Sequence, residues 1–592
     1  MAKTILHYLV ERREQAPKGP ALQFKENGRW ITYNWQEYYH LCEALGTALL
    51  KFDVAKGERV GIICETRPEW PLIDMAIMGV GAVTVPIYPN NSDEDVEFII
   101  NNAQIKVLFL EDRAQFEKWQ RISERCPSVK EAIVIDTIAD NTTKVLSWAE
   151  ILRHGREKLA VEPKIYTDLC RDTKMDEMAT ILYTSGTTGR PKGVVLCHEQ
   201  IMSELIDVFT TINVTAADIS VTFLPYSHIF GRVEAWGNVY AGYVLAFAES
   251  IEKLRYNLVE IKPTFLIAVP RIFEKIYAGI LSQVASNRIK REIFERALSI
   301  GRQVSERTQA QRPLGLPLAF EFALAYQLVF KKILEGLGGR LRFAVSGGAP
   351  LNSDITRFFH GLGLLICEGY GLTETTAGVT FNTPYNYKIG SVGRPLTDVK
   401  IKIAEDGEVL VKSKKVMTEY YKDEAATREV FEEGYFKTGD IGHLDKDGYL
   451  YITDRKKDLI KTAGGKYVAP QKLEGLIKLN HNISNVLIHG DLKKYIVALV
   501  TLDRKSILDF GKSKGLKETT FAELIKTQEV YGLIRDAVAE ANTHLASYES
   551  IKKFTILPND FTIESGELTP SLKVKRRVCD RKYQAEIDEL YH

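Results

Sequence analysis

Little in this sequence ties it to nucleic acid, to a metal cluster or to a bilayer crossing. Across 592 residues Lys and Arg total 78 and Asp and Glu 77, a net charge of +1. Bulk attraction to nucleic acid is therefore not expected. Seven cysteines (42, 64, 126, 170, 197, 367 and 579) show neither paired nor metal-type spacing. They are expected to be buried free thiols in a reducing compartment. The N-terminal "MAKTILHYLVERREQAP" lacks the apolar region and cleavage site of a signal peptide. The longest nearly uncharged run, "MAIMGVGAVTVPIY", is too short to span a bilayer and is broken by glycine and proline. The cytoplasm is the default location, with peripheral membrane contact left open. No internal repeat or low-complexity tract occurs.

What is present is the composition of a globular enzyme, 45% hydrophobic and 26% charged. At about 150 residues per domain the length suggests roughly four folding units. From residue 57 short apolar runs alternate with helical patterns: "ERVGIIC", "AVTVPIY" and "IKVLFLE" read as strands, "PEWPLIDMAIMG" and "DEDVEFIINN" as helices. Strands apolar throughout and joined by helices predict an α/β fold with buried parallel sheet. The pattern recurs at 263–270 and 341–350. Residues 271–338 form a long helical excursion, and residues 288–312 within it hold seven cations and three anions. That excess suits a solvated helix face or contact with an anionic membrane. After Ser391, "VKIKI", "GEVLVKS" and "GYLYITD" read as short strands with tight turns. A domain boundary is placed near 454–458, before a smaller unit ending at His592.

The sharpest feature is "ILYTSGTTGRPKGV" (181–194). It is rich in glycine and hydroxyls and holds Lys192, yet it is no Walker loop. Gly186 and Gly189 are three apart, Lys192 precedes a glycine, and strand-like runs flank both sides. No helix start is aimed at a phosphate. Donors would come from backbone N–H groups, from Thr184, Ser185, Thr187 and Thr188, and from Lys192. Such a loop suits a polyphosphate that enters, reacts and leaves.

This loop resembles the signature of the AMP-forming, adenylate-forming superfamily: acyl-CoA synthetases, luciferases and non-ribosomal adenylation domains. Further motifs follow in the same order. "CEGYGLTETT" (367–376) implies Tyr370 and Gly371 at adenine, Thr373 at the α-phosphate and Glu374 as ligand to Mg²⁺, with Thr184 as its companion. "VSGGAPL" (345–351) implies that Gly348 and Ala349 line the adenine and the acyl carboxylate. In "TGD" (438–440), Asp440 is expected to accept from both ribose hydroxyls. Arg455 is expected at the nucleotide and Lys457 at the hinge. "GELTPSLKVKRR" (566–577) implies Lys573 as the catalytic lysine; Lys575, Arg576 and Arg577 read as a solvated basic tail. His228, in "LPYSHIFGR", is expected on the path between acyl carboxylate and thiol. The match covers about residues 5–590 and is most similar to long-chain fatty acyl-CoA synthetases.

The resemblance implies a large N-terminal domain (1–454) of layered α/β sheets with a distorted β-barrel part at about 385–454. It also implies a small, mobile α+β C-terminal domain (455–592). It implies ATP and Mg²⁺, a fatty acid activated as acyl-adenylate, and coenzyme A as acceptor. A small-residue loop, Ala463, Gly464 and Gly465, is expected to enter the site for the thiol step after domain rotation. The competing readings are a ligase that passes the acyl group to a separate carrier protein, a luciferase-like oxidase, and a non-catalytic nucleotide-binding protein. The last would be signalled by loss of Lys192, Glu374, Asp440 or Lys573, and all four are present. Homodimerisation is left open. Tunnel candidates lie near 229–237, 267–269 and 346–350, with Trp236 as the side chain expected to close the path.

Overall fold

The computed structural model describes residues 2–138, 145–184, 190–285, 288–517, 520–563, 565–569 and 573–592. The alternation from residue 57 builds a seven-stranded sheet ordered Leu146–Ser147, Glu131–Val134, Ile105–Leu110, Arg59–Ile63, Val83–Ile87, Met178–Thr184, Lys192–Cys197. All neighbours are parallel except the last pair, where Thr184 lies opposite Lys192. Side chains buried on both faces explain why these strands read as unbroken apolar runs. The helices between them start on conventional caps: Ser92 accepts from Asp95 N–H, and Asp112 from Gln115 N–H.

A second sheet carries the parallel strands Phe265–Ala268, Phe343–Ser346 and Ile366–Leu372, then the antiparallel Ala377–Phe381 and Arg394–Pro395. A third joins Ile219–Thr222, Val244–Phe247, Pro20–Glu26 and Arg29–Asn34. The alternating strands after Ser391 form the expected half-barrel, an antiparallel sheet of Lys400–Ile403, Glu408–Lys412, Tyr435–Leu444, Phe431–Glu432 and Leu450–Arg455. The 271–338 excursion is helical as read, with helices Pro270–Ala285, Arg288–Gln309, Leu316–Ala325 and Lys331–Glu335 and a π-turn at Tyr326–Phe330.

Near the C-terminus three strands, Ile483–His489, Ile496–Leu502 and Ile551–Ile556, pack with helices as an α+β unit. Its two apolar clusters draw buried residues from Ile460 to Phe554 and from Leu487 to Leu590. All seven cysteines are free; six are buried and Cys197 is half-buried. Among the described residues no helix is long and apolar enough to cross a membrane.

One expectation needs correction. Arg576 is no solvated tail: it pairs with Glu474 at 2.7 Å and donates to the Ile488 carbonyl at 2.8 Å. It pins the helix it begins to the C-terminal sheet. Trp236 is tied into the core. It is fully buried, donates to Asp74 at 2.9 Å and lies under the Arg232 guanidinium at 4.6 Å. Arg232 and Asp74 form a buried ion pair that also takes the Thr84 hydroxyl.

Candidate active site

The carboxyl ends of parallel strands are where open α/β sheets bind ligands. Ala268 and Ser346 end two such strands, and Glu368 ends the parallel-paired part of the third. Gly348, with φ +81°, opens the exposed turn Gly348–Ala349, and a Cβ there would meet only Val269, at 3.8 Å. The turn is backed by Phe230, whose ring lies 3.1 Å from where a Cβ on Gly347 would sit. His228 caps the helix Ile229–Ala241 by accepting from Phe230 N–H through Nδ1 at 3.2 Å. Burial, with the Lys573 charge nearby, pushes this imidazole down to about 3. It is neutral at physiological pH, with Nε2 carrying the proton.

The strand Ile366–Leu372 continues into a 3₁₀ turn, Thr373–Thr375, and reverses at Thr376 and Ala377, both with positive φ. Two consecutive non-glycine residues in that region store strain. Gly371 makes the reversal possible, since a Cβ there would fall 1.3 Å from the Ala377 carbonyl oxygen. The turn is held from outside. Thr376 donates to the Lys415 carbonyl at 2.6 Å, and Met417 N–H to the Glu374 carbonyl at 2.7 Å. Lys415 is fully buried between Glu204 and Asp207, each at 2.9 Å.

Glu374 thereby faces the hairpin that flanks the hydroxyl-rich loop. Tyr420 donates its hydroxyl to Glu374 at 2.9 Å, and its ring lies 5.0 Å from the Lys192 ammonium. Thr184 donates to the Lys192 carbonyl at 3.4 Å. Tyr420 went unnoticed in the sequence because a tyrosine pair beyond a loop matches no spacing rule. Ser185, Gly186, Thr187, Thr188 and Gly189 lie outside the described residues, as do Ser571 and Leu572.

Asp440 and Arg455 are cross-strand partners in the half-barrel, paired at 2.9 Å. Tyr370 donates its hydroxyl to the other Asp440 oxygen at 2.7 Å. Each carboxylate oxygen keeps a second lone pair for a ligand. Burial pushes the Asp440 carboxyl up, against the pull of Arg455, Tyr370 and Lys573. Lys573 stands near all of these groups while staying within reach of solvent. Burial first, then Arg455, lowers its pKa, and Asp440 and Glu374 oppose that. Partial burial of the Lys457 ammonium, then the Arg455 charge, lowers its pKa.

Contacts thus link Thr184, Lys192 and Glu374 through Tyr420, and Asp440 with Tyr370 and Arg455, while the Lys573 charge reaches Arg455, Asp440, Glu374 and His228. The Gly464–Gly465 turn joins Ile460–Lys461 to Tyr467–Val468, and a Cβ on Gly465 would meet nothing within 4 Å.

Residues 9–421 match the family model described as AMP-binding enzyme, and residues 457–592 that of the AMP-binding enzyme C-terminal domain. The chain is 37% identical over 570 residues to the long-chain-fatty-acid–CoA ligase FadD15 of Mycobacterium bovis, covering 96% of this chain and 93% of that protein. It is 31% identical to the peroxisomal long chain acyl-CoA synthetase 6 of Arabidopsis thaliana, covering 95% and 82%. The crystal structure of the anthranilate CoA ligase AuaEII with anthranoyl-AMP superposes with a TM-score of 0.74 at 18% identity, covering 99% and 98%, a likeness of fold.

Proposed function

The chain belongs to the AMP-binding enzyme family, and on that premise we propose that it is a long-chain fatty acid–CoA ligase. It activates the acid with ATP as acyl-adenylate and passes the acyl group to coenzyme A. What supports this reading is that Lys573, Asp440, Glu374 and Lys192, far apart in sequence, are linked by contacts and charge interactions.

In the first step a carboxylate oxygen bonds to the α-phosphorus and the bond to the β-phosphate oxygen breaks, releasing pyrophosphate. Two anions must meet, so fixed positive charge and orientation lower the barrier. Lys573 would bridge the carboxylate and the α-phosphate, with Thr373 at the same phosphate. Lys192 and the hydroxyl-rich loop would hold the departing β- and γ-phosphates. Asp440 would accept from the ribose hydroxyls while Arg455 holds it ionised, and Tyr370 and Gly371 would flank adenine beside the Gly348–Ala349 turn.

The donors present suit Mg²⁺, which takes hard oxygens and keeps phosphate and water ligands. Glu374 and Thr184 offer a carboxylate and a hydroxyl on neighbouring elements, and among the described residues no His/Cys/Asp/Glu cluster forms a complete cage. The ion would neutralise phosphate charge there.

In the second step the thiol sulfur bonds to the acyl carbon, the bond to the adenylate oxygen breaks, and AMP leaves. Neutral His228 would lie on that path. Residues 455–592 would act as a mobile domain on 1–454, turning at Lys457 to exchange Lys573 for the Gly464–Gly465 turn. Peripheral contact with a membrane belongs to the same reading, because a long-chain acid partitions strongly into bilayers, each buried CH₂ gaining about 0.8 kcal/mol.

Incubation with ATP, Mg²⁺, coenzyme A and acids of roughly two to twenty carbons tests the proposal, the preference for long chains following from CH₂ burial. Equimolar acyl-CoA, AMP and pyrophosphate are expected, with long chains preferred. Release of ADP, or an adenylate never passed to coenzyme A, contradicts it.

A further inference from the structure

Tyr420 touches two oppositely charged side chains, each with a different part of its own. Its hydroxyl donates to a Glu374 oxygen at 2.9 Å, and its ring lies 5.0 Å from the Lys192 ammonium. A phenol suits both contacts, because the O–H meets an anion and the negative face of the ring meets a cation. Among the described residues no ion pair joins Lys192 to Glu374, although both reach the same side chain.

The backbone fixes Tyr420 in this place. Residues 418–421 run antiparallel beside the strand Lys192–Cys197. Thr418 N–H donates to the Val195 carbonyl at 3.2 Å, Val195 N–H to the Glu419 carbonyl at 3.0 Å, and Tyr421 N–H to the Gly193 carbonyl at 2.7 Å. Tyr420 is thereby bridged to Val194, and Lys192, two residues along, shares that face of the strand. Tyr420 N–H donates to the Thr427 hydroxyl at 3.0 Å, and the residue is only 6% exposed. The same segment holds the backbone of Glu374, through Met417 N–H at 2.7 Å. One short stretch of chain therefore sets the place of both charged residues.

Without the ring the two charges would draw together, since attraction in a partly buried site is stronger than in water. A Lys192–Glu374 pair would satisfy each charge and leave neither for a ligand. We propose that Tyr420 is a positioning residue that keeps Lys192 and Glu374 apart, the ammonium for a phosphate and the carboxylate for Mg²⁺. The role rests on the ligase reading and extends it to a residue outside the motifs.

Equilibrium binding to the full chain, followed by calorimetry without turnover, tests it. ATP is titrated at a series of Mg²⁺ concentrations, and inorganic pyrophosphate at saturating Mg²⁺. Tyr420→Phe keeps the ring and loses the hydroxyl. It should need about tenfold more Mg²⁺ to reach half-maximal ATP affinity, the scale of a lost partner behind a metal-binding side chain. Its affinity for pyrophosphate should match the parent. Tyr420→Leu loses the ring as well, and should bind pyrophosphate about tenfold more weakly, within the range of a desolvated cation–π contact. A role in packing alone would lower the thermal unfolding midpoint without separating Mg²⁺ from pyrophosphate. A Tyr420→Phe protein with the parent Mg²⁺ requirement overturns the proposal, as does equal loss of pyrophosphate binding in the two variants. Where Tyr420→Leu fails to fold, the Mg²⁺ series on Tyr420→Phe decides. A parent protein that binds neither ATP nor pyrophosphate overturns the ligase reading itself. A parent that binds both, with variants indistinguishable from it, overturns only the role of Tyr420.

Discussion

Asp440 holds two protein partners on a carboxylate that would also hold a ribose, so its geometry is set before a nucleotide arrives. Asp440→Ala should raise the KM for ATP about tenfold or more, the worth of hydrogen bonds to a charged group, with a smaller change in KM for the acid. Steady-state kinetics with each substrate varied checks this. Glu368 illustrates a different use of a buried carboxyl. Burial pushes it up to about 8, against the pull of the Thr356 hydroxyl and the Leu351 N–H. Glu368 is therefore protonated when folded but ionised when unfolded between about pH 4.5 and 8. The folded state binds the extra proton, so stability falls as pH rises through that window, by at most about 1.4 kcal/mol per pH unit. Glu368→Gln should flatten that slope, seen as unfolding midpoints across pH 5 to 9. Lys192, Asp440 and Lys573 could be singled out in the sequence because the proposed chemistry demands fixed residue types at those motif positions. Tyr420 and Glu368 could not, because each acts through a contact made only by folding.

At the scale of elements, the strained reversal after Gly371 is carried by groups outside the cleft. The helix His198–Thr211 supplies Glu204 and Asp207, and Lys415 ties them to the turn that bears Glu374. Lys415→Met would leave two carboxylates buried without their cation, at a cost of about 3–5 kcal/mol. Chemical denaturation should show that loss, and adenylation should fall with it as Glu374 loses its support. The strands were readable because burial on both faces writes a continuous apolar run, and the excursion because its helical spacing is regular. The buried roles of Arg576 and Trp236 were not. A basic cluster looks the same in sequence whether it meets water or a carboxylate in the same domain, and a tryptophan near a motif does not announce the aspartate beneath it.

For the whole molecule the account requires two arrangements of residues 455–592. Lys573 lies within charge range of Asp440 and Glu374, and the turn at Gly464–Gly465 is open around Gly465. The first arrangement suits adenylation; the second step needs the exchange. Gly464→Leu should slow thioester formation by about tenfold or more, the scale of a side chain obstructing a packed path, and leave acid-dependent pyrophosphate exchange close to the parent rate. Single-turnover assays of each half-reaction read the two separately. The α/β and half-barrel architecture could be anticipated from sequence. Which loop stands in the cleft could not, because that depends on how two separately cored units meet.

The division of labour between half-reactions is the central claim, and Lys573→Ala tests it most directly. The variant should lose acid-dependent exchange of labelled pyrophosphate into ATP by about a hundredfold or more, as for loss of a preorganised charge at a reacting centre. It should still form acyl-CoA from supplied acyl-adenylate at nearly the parent rate. Equal loss of both half-reactions, or intact exchange, would contradict the account.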